Sequence, residues 1–207
     1  MDQLKQNVID YFEGCLATHG DSAKGVDYNG TESQSQRFEI LSAIAPLSGC
    51  SVLDVACGLG HFYDFTQQKG IELAAYKGVD ITPGMIKHAQ ARHPQLEFAQ
   101  ADILAMPAPS APLFDYVVCC GLFHLRANNS ALEWQEFCQT MIQRMYRYAR
   151  RGLAFNMMTD QVDFQIDRLY YADPTYYFNF CRHSLSRRVT LRHDYPLYEF
   201  TLYIYRA

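Results

Sequence analysis

The chain has 207 residues and a mass of 23.8 kDa, enough to bury one sizeable core without a second domain. Hydrophobic residues make up 49% and charged residues 19%, which excludes a disordered or fibrous chain. A net charge of -4 and a pI near 5.9 set the overall field against a polyanion, so nucleic acid is not an expected partner.

The N-terminus, MDQLKQNVIDYFEG, has no basic region followed by an apolar run, and no stretch approaches the roughly 20 apolar residues that span a bilayer. The seven cysteines form an odd set without metal-ligand spacing, and Cys119 and Cys120 adjoin within an apolar run. They read as buried free thiols suited to a reducing cytoplasm.

Leu4, Val8, Phe12 and Leu16 recur at helical spacing, so residues 1–20 are expected to form a helix that Gly20 stops. A polar, glycine-containing stretch, Asp21 to Gln34, has the composition of a mobile lid. A second helix carries Phe38, Leu41, Ile44 and Ala45 and ends at Pro46. Residues 1–46 are thus a helical cap preceding a core over 51–207, in one domain.

From Ser51 short apolar runs alternate with amphipathic helices, the pattern of a parallel sheet covered on both faces. Strands are expected at Ser51–Ala56, Lys77–Ile81, Leu96–Ala101, Tyr116–Cys120 and Gly152–Met157, with helices near His61–Lys69, Pro83–Arg92 and Ala131–Arg150. Arg188–His193 and Tyr198–Tyr205 read as an antiparallel hairpin with Asp194 and Pro196 in its turn. The fold class is α/β: a doubly wound, mostly parallel seven-stranded sheet with a C-terminal antiparallel hairpin. Arg144, Arg147, Arg150 and Arg151, at the end of the third of these helices, offset the negative end of its dipole.

The chemistry gathers after the first strand. In Ser51-Val-Leu-Asp-Val-Ala-Cys-Gly-Leu-Gly-His-Phe62 a buried strand meets a glycine turn and then a helix, and Gly58 and Gly60 let the backbone approach a ligand. Asp80 closes the next strand, where a doubly wound fold puts a carboxylate on a ribose. Tyr63 stands where a dinucleotide site would want a small residue, and Asp54 would repel a pyrophosphate but can engage an ammonium group. These features favour adenosine joined to an amino acid over NAD.

Val52-Leu-Asp-Val-Ala-Cys-Gly-Leu-Gly60, Val79-Asp80, Ala101-Asp102-Ile103 and Phe114-Asp-Tyr-Val-Val-Cys-Cys120 resemble the ordered motifs of class I S-adenosylmethionine-dependent methyltransferases, whose fold is Rossmann-like. The resemblance covers roughly 51–157 and the closing hairpin. It implies that Asp54, Ala56, Gly58 and Gly60 surround the methionine part of S-adenosylmethionine and that Asp80 holds its ribose. It places Ile81 and Met85 beside adenine, Asp102 and Ile103 at the adenine edge, and Gly121 with Phe123 over the cofactor. Ala56 stands where many members have glycine. Lys24-Gly-Val-Asp-Tyr28, Arg37-Phe38 and His193-Asp-Tyr-Pro-Leu-Tyr-Glu-Phe-Thr201 extend the likeness to a group of small bacterial methyltransferases. Arg37 reads either as a grip on the cofactor carboxylate or as a solvated helix arginine.

His124, just beyond the fourth strand, reads either as a base that takes a proton from the methyl acceptor or as a rim histidine satisfied by neighbours. Asn156 reads as structural, His61 as the start of a helix near the cofactor, and His193 with Asp194 as a hairpin corner. His19, His88, His93 and His183 read as surface or cap residues. Tyr170, Tyr171, Tyr176, Tyr177, Phe178 and Phe180 form a dense aromatic run that either packs a lid or interface or lines a pocket. No acid pair adjoins an asparagine after the fifth strand as a magnesium-dependent catechol-type enzyme requires, and no zinc spacing occurs, so no metal is expected. The leading expectation is methyl transfer to an oxygen or nitrogen of a small molecule. The alternatives are RNA or protein methylation, which Cys120-Gly-Leu-Phe-His124 in place of an Asn-Pro-Pro-Tyr-like motif disfavours, and a non-catalytic S-adenosylmethionine-binding module.

Overall fold

Five parallel strands are built from runs whose alternate residues enter opposite layers. Along β4 (Phe114–Cys119) Tyr116 and Val118 pack on one side of the sheet while Val117 and Cys119 pack on the other, as the two-residue period of a strand requires. Both faces are covered, so the central strands are continuously apolar rather than half polar. The computed structural model describes residues 2–126 and 128–206. Its seven-stranded sheet has the order β3-β2-β1-β4-β5-β7-β6.

The other strands are β1 (Ser51–Val55), β2 (Ala75–Asp80), β3 (Glu97–Gln100), β5 (Ala149–Met158), β6 (Val189–Arg192) and β7 (Glu199–Tyr205). β1 through β5 pair in parallel and β7 runs antiparallel to both β5 and β6. The order reverses between β1 and β4. In open α/β sheets that switch point opens a crevice at the carboxyl ends of the strands, where ligands bind.

Helices α1 (Asp2–His19) and α2 (Thr31–Ser42) precede the sheet, and α3 (His61–Gln68), α4 (Pro83–Arg92), α5 (Ala131–Tyr148) and α6 (Pro174–Ser184) are interleaved with it. α5 starts in a capping box, Ser130 Oγ accepting from the Glu133 amide while the Glu133 carboxylate accepts from the Ser130 amide. Its buried Trp134, Cys138, Met141, Ile142 and Met145 form the helical stripe that enters the layer on the Val117 side. The last arginines of this region act on loop carbonyls as well as on the helix end. Arg144 donates to the carbonyls of Ile103 and Met106, and Arg150 to that of Pro112.

α2 stops at Ser42 instead of continuing to Pro46, and α6 was not expected from the sequence. The signal for α6 was present in Asp173-Pro174: the aspartate accepts from the amides of Thr175 and Tyr176, and proline occupies the first turn, where its missing N–H costs nothing. The aromatic run packs this helix. Tyr177 is fully buried and its hydroxyl meets that of Tyr170 at 3.0 Å, and none of the six aromatics borders the crevice described below. All seven cysteines are free thiols.

Candidate cofactor and acceptor site

The carboxyl ends of β1, β2 and β4 open into a cavity bordered by Asp54, Ala56 and Gly58 from β1 and its turn, Asp80, Ile81 and Met85 from β2 and the start of α4, and Gly121 and His124 from the loop after β4. Asp102 and Ile103 border it after β3. α1 contributes Lys5, Val8 and Phe12, and the segment between the first two helices contributes Val26, Asp27 and Tyr28.

The turn after β1 is shaped by backbone conformation. Gly60 has φ 79°, and a Cβ there would stand 2.9 Å from the Phe98 ring, so the turn admits only glycine without displacement. Gly60 itself does not border the cavity; it turns the chain into α3 and sets the amide of Gly58 facing Asp80. Ala56 also has a left-handed backbone, φ 57°, a conformation that costs a residue with a Cβ about 1 kcal/mol or more.

Asp80 accepts from the Gly58 amide at 2.9 Å and from the Thr82 amide at 2.8 Å. Burial pushes its carboxyl up, and these amides oppose that shift. Two of about four lone-pair positions are thereby used, leaving acceptor capacity for a vicinal diol. Asp54 is buried more deeply in effect. It accepts from the Tyr76 hydroxyl at 2.7 Å, and burial, aided by the charge of Asp80, pushes it up to about 7. Asp102 caps the amide of Leu104 at 2.9 Å and forms an ion pair with Lys5 of α1.

The lid-like stretch is anchored across the cavity. Asp21 meets His61 Nε2 at 2.9 Å and also pairs with Arg92, the Gln34 amide meets His61 Nδ1 at 3.0 Å, and Tyr11 donates to Asp27 at 2.9 Å. Tyr28 donates to Cys120 Sγ at 3.2 Å and lies so close to Gly121, whose φ is 80°, that a Cβ on that glycine would meet the phenol oxygen at 2.6 Å. Burial pushes the Cys120 thiol up to about 12, so it faces the cavity as a neutral thiol.

Besides Gly60, two sequence expectations are corrected by position. Phe123 is fully buried in the layer beneath β4, edge-on to Phe155, and its carbonyl accepts from the Trp134 indole at 2.9 Å; it does not close over the cavity. Its neighbour Leu122 borders the cavity instead. Arg37 does not border the cavity either. Its Nε donates to the two carboxylate oxygens of Glu199 at 2.8 and 3.1 Å, its guanidinium lies over the Tyr28 ring, and one amino group donates to the Ser33 carbonyl at 2.9 Å. A guanidinium already forked onto a buried carboxylate has little left for a second one.

His124 borders the cavity, and burial pushes its pKa down, so at neutral pH the imidazole is uncharged. Its Nε2 is shut from solvent without a hydrogen-bond partner, 3.9 Å from Glu199 Oε2. Asn156 sits between: its amide donates to Glu199 at 2.7 Å and its oxygen accepts from the Gly121 amide at 2.8 Å. Glu199 was not singled out from the sequence, although an acid opening the otherwise apolar strand Glu199-Phe-Thr-Leu-Tyr-Ile-Tyr205 was a usable signal.

Residues 52–152 match a family model described as a methyltransferase domain. Over 172 residues the chain is 33% identical to a putative methyltransferase of Mycobacterium tuberculosis, covering 82% of this chain and 99% of that protein. It is also 28% identical to a malonyl-[acyl-carrier protein] O-methyltransferase of Pectobacterium atrosepticum, over 62% of this chain and 47% of that one. Among solved structures, magnesium protoporphyrin IX methyltransferase from Synechocystis with bound S-adenosylmethionine superposes with a TM-score of 0.68 at 19% identity, covering 98% of this chain and 97% of that chain.

Proposed function

Since the chain belongs to the class I S-adenosylmethionine-dependent methyltransferases, we propose that it methylates an oxygen or nitrogen of a small molecule and that His124 takes the proton the acceptor gives up. When bound, S-adenosylmethionine supplies a methyl group on a sulfonium centre, which an acceptor lone pair takes in line as the carbon–sulfur bond breaks. The residues present fit that cofactor: the glycine turn leaves room for its backbone-close approach, Asp80 retains acceptor capacity, and the apolar Ile81 and Met85 bordering the cavity suit a flat base. Asp54 balances positive charge from β1. Asp102 and Ile103 stand at the adenine end, while Gly121 and Leu122 border the region toward the acceptor.

The observation that carries the assignment of His124 is an imidazole that borders the cavity and that burial keeps neutral at pH 7. A neutral imidazole can accept a proton at pH 7, and catalysis by such a base typically contributes about 100-fold or more. Alignment of donor and acceptor in the cavity supplies the rest, on the order of 7 kcal/mol in good cases. Residues 1–46 act as the cap of one domain, since α1 and the segment after it cover the cavity. The O-methyltransferase among the relatives favours an oxygen acceptor. The acidic net charge favours a small molecule over RNA, and seven free thiols fit a cytoplasmic location.

A screen of hydroxyl and amine acceptors, read as S-adenosylhomocysteine formation, tests the reading. With an acceptor in hand, His124→Ala is expected to lower turnover by about 100-fold or more at unchanged cofactor affinity. A near-normal rate would assign His124 to the scaffold, and methylation confined to RNA or protein substrates would replace the small-molecule assignment.

A further inference from the structure

We propose that Glu199 is the positioning residue of His124, holding the imidazole with its proton on Nε2 and presenting Nδ1 to the cavity as the proton-accepting nitrogen. The inference rests on the reading of His124 as the base and adds the group that orients it.

Glu199 opens β7 opposite Met158 of β5 and is 3% exposed, so its carboxylate is held inside the protein rather than in solvent. Burial alone would push that carboxyl up. The protonated form of His124, present only at lower pH, the Arg37 guanidinium and the Asn156 amide outweigh burial and hold it below the usual carboxylate range, so Glu199 is an anion throughout the neutral region. Arg37 occupies both oxygens from one side and Asn156 donates to Oε2 from another. His124 Nε2 faces that same Oε2 at 3.9 Å, where the Arg37 Nε contact is the longer of its two.

A buried imidazole nitrogen without a partner has two ways to stand next to a carboxylate. If Nε2 carried a lone pair, it would confront the acceptor oxygen with like polarity. If it carries the proton, the contact is attractive, and closing the gap by about 1 Å makes an N–H···O bond of ordinary length. The second arrangement leaves the lone pair on Nδ1, the ring nitrogen that does not face Glu199, on a residue that borders the cavity. Apo-state separations of this kind commonly tighten when the ligand is bound.

The charged groups facing His124 come from three elements: Glu199 on β7, Arg37 on α2, and Asp27 in the segment between α1 and α2. Glu199 and Asp27 favour the protonated ring and Arg37 opposes it. When the acceptor's proton passes to Nδ1, the resulting imidazolium is balanced by Glu199, which stays ionised because Arg37 remains paired with it. No proton needs to move to the carboxylate. The proton leaves later from Nδ1 to solvent.

The test is nuclear magnetic resonance of the full chain labelled with 15N-histidine, with His124→Gln used to assign the resonance and S-adenosylhomocysteine binding used to confirm folding. Long-range proton–nitrogen correlations are expected to put the neutral-ring proton on Nε2. In Glu199→Gln the His124 titration midpoint is expected to fall by about one pH unit or more, because an opposite charge beside the ring is removed. Glu199→Asp keeps that charge and is expected to restore much of the shift. Should Glu199→Gln fail to fold because Arg37 loses its partner, the doubly neutral Arg37→Gln/Glu199→Gln variant is expected to show a smaller fall in the same direction. A wild-type ring protonated on Nδ1, or an unchanged midpoint in a folded variant lacking the Glu199 charge, would overturn the proposal. Neither readout depends on turnover, so a failed orientation and a failed base are separate results.

Discussion

Asp80 Oδ2 accepts a hydrogen bond from the Gly58 amide at 2.9 Å, joining the acid that ends β2 to the turn that follows β1. Its other oxygen accepts from the Thr82 amide at 2.8 Å, so one carboxylate ties together the loops after β1 and β2 before any ligand arrives. A site preorganised in this way spends less binding energy on ordering its own backbone.

Asp80→Ala removes these backbone bonds together with the proposed contact to the ribose. S-adenosylhomocysteine affinity, measured by calorimetry, is expected to fall by about 1.5–3 kcal/mol, the usual range for hydrogen bonds to a charged group. An affinity within twofold of wild type would mean that the ribose is held by other groups.

Asp54 predicts a pH dependence. Its folded-state carboxyl lies at about 7 against an ordinary 3.8, so in the free protein it is protonated below about 7 and ionised above. Cationic S-adenosylmethionine favours the ionised form. Binding is therefore expected to strengthen as pH rises through 7 and to release protons below it, and Asp54→Asn is expected to flatten the profile. For folding the sign is opposite: the unfolded chain ionises first, so this group's contribution to stability is full below 3.8 and is lost as pH rises to about 7. Affinity that does not change between pH 6 and 8 would place the carboxylate out of reach of the ligand's charge.

Ala56 holds a left-handed backbone at φ 57°. Ala56→Gly removes the steric cost of that conformation, about 1 kcal/mol, and adds entropy to the unfolded chain worth about 0.4–1 kcal/mol. The two nearly cancel, so thermal unfolding is expected to be unchanged or slightly raised, in contrast to the losses that most buried substitutions produce. A clear fall in the melting temperature would show that the Ala56 methyl contributes packing that outweighs its strain.

The segment from Asp21 to Gln34 is tied over the cavity by contacts to His61, Arg92 and Cys120. A ligand in the cavity lies beside Val26, Asp27, Tyr28 and Gln34 of this segment, so a segment acting as a lid gains contacts when the ligand is bound. Amide hydrogen exchange across this segment is expected to slow when S-adenosylhomocysteine is added. Equal exchange with and without ligand would remove its role as a lid.

Much of this molecule is legible from local pattern. The alternation from Ser51 to Met157 dictates a doubly wound sheet because apolar runs with a period of two and stripes with a period near 3.6 can be buried only in layers. The glycine turn after β1 and the acid that ends β2, both at the mouth of the crevice, are legible for the same local reason: backbone geometry and a carboxylate at a strand terminus are properties of neighbours in the chain. Even Pro174, the marker of the unexpected α6, was there to be read beside Asp173.

What tertiary structure alone decides is which side chains are already spoken for. Arg37 and Glu199 are far apart in sequence, and nothing local reveals that the guanidinium is consumed by a buried carboxylate and withheld from the cavity. Phe123 and Leu122 are adjacent, and only the direction of the loop beyond β4 determines that the first enters the core while the second borders the site. The environment of His124 is of the same kind. An imidazole's charge and tautomer depend on burial and on partners contributed by α2, β7 and the segment before α2, and those distances exist only once the chain has folded.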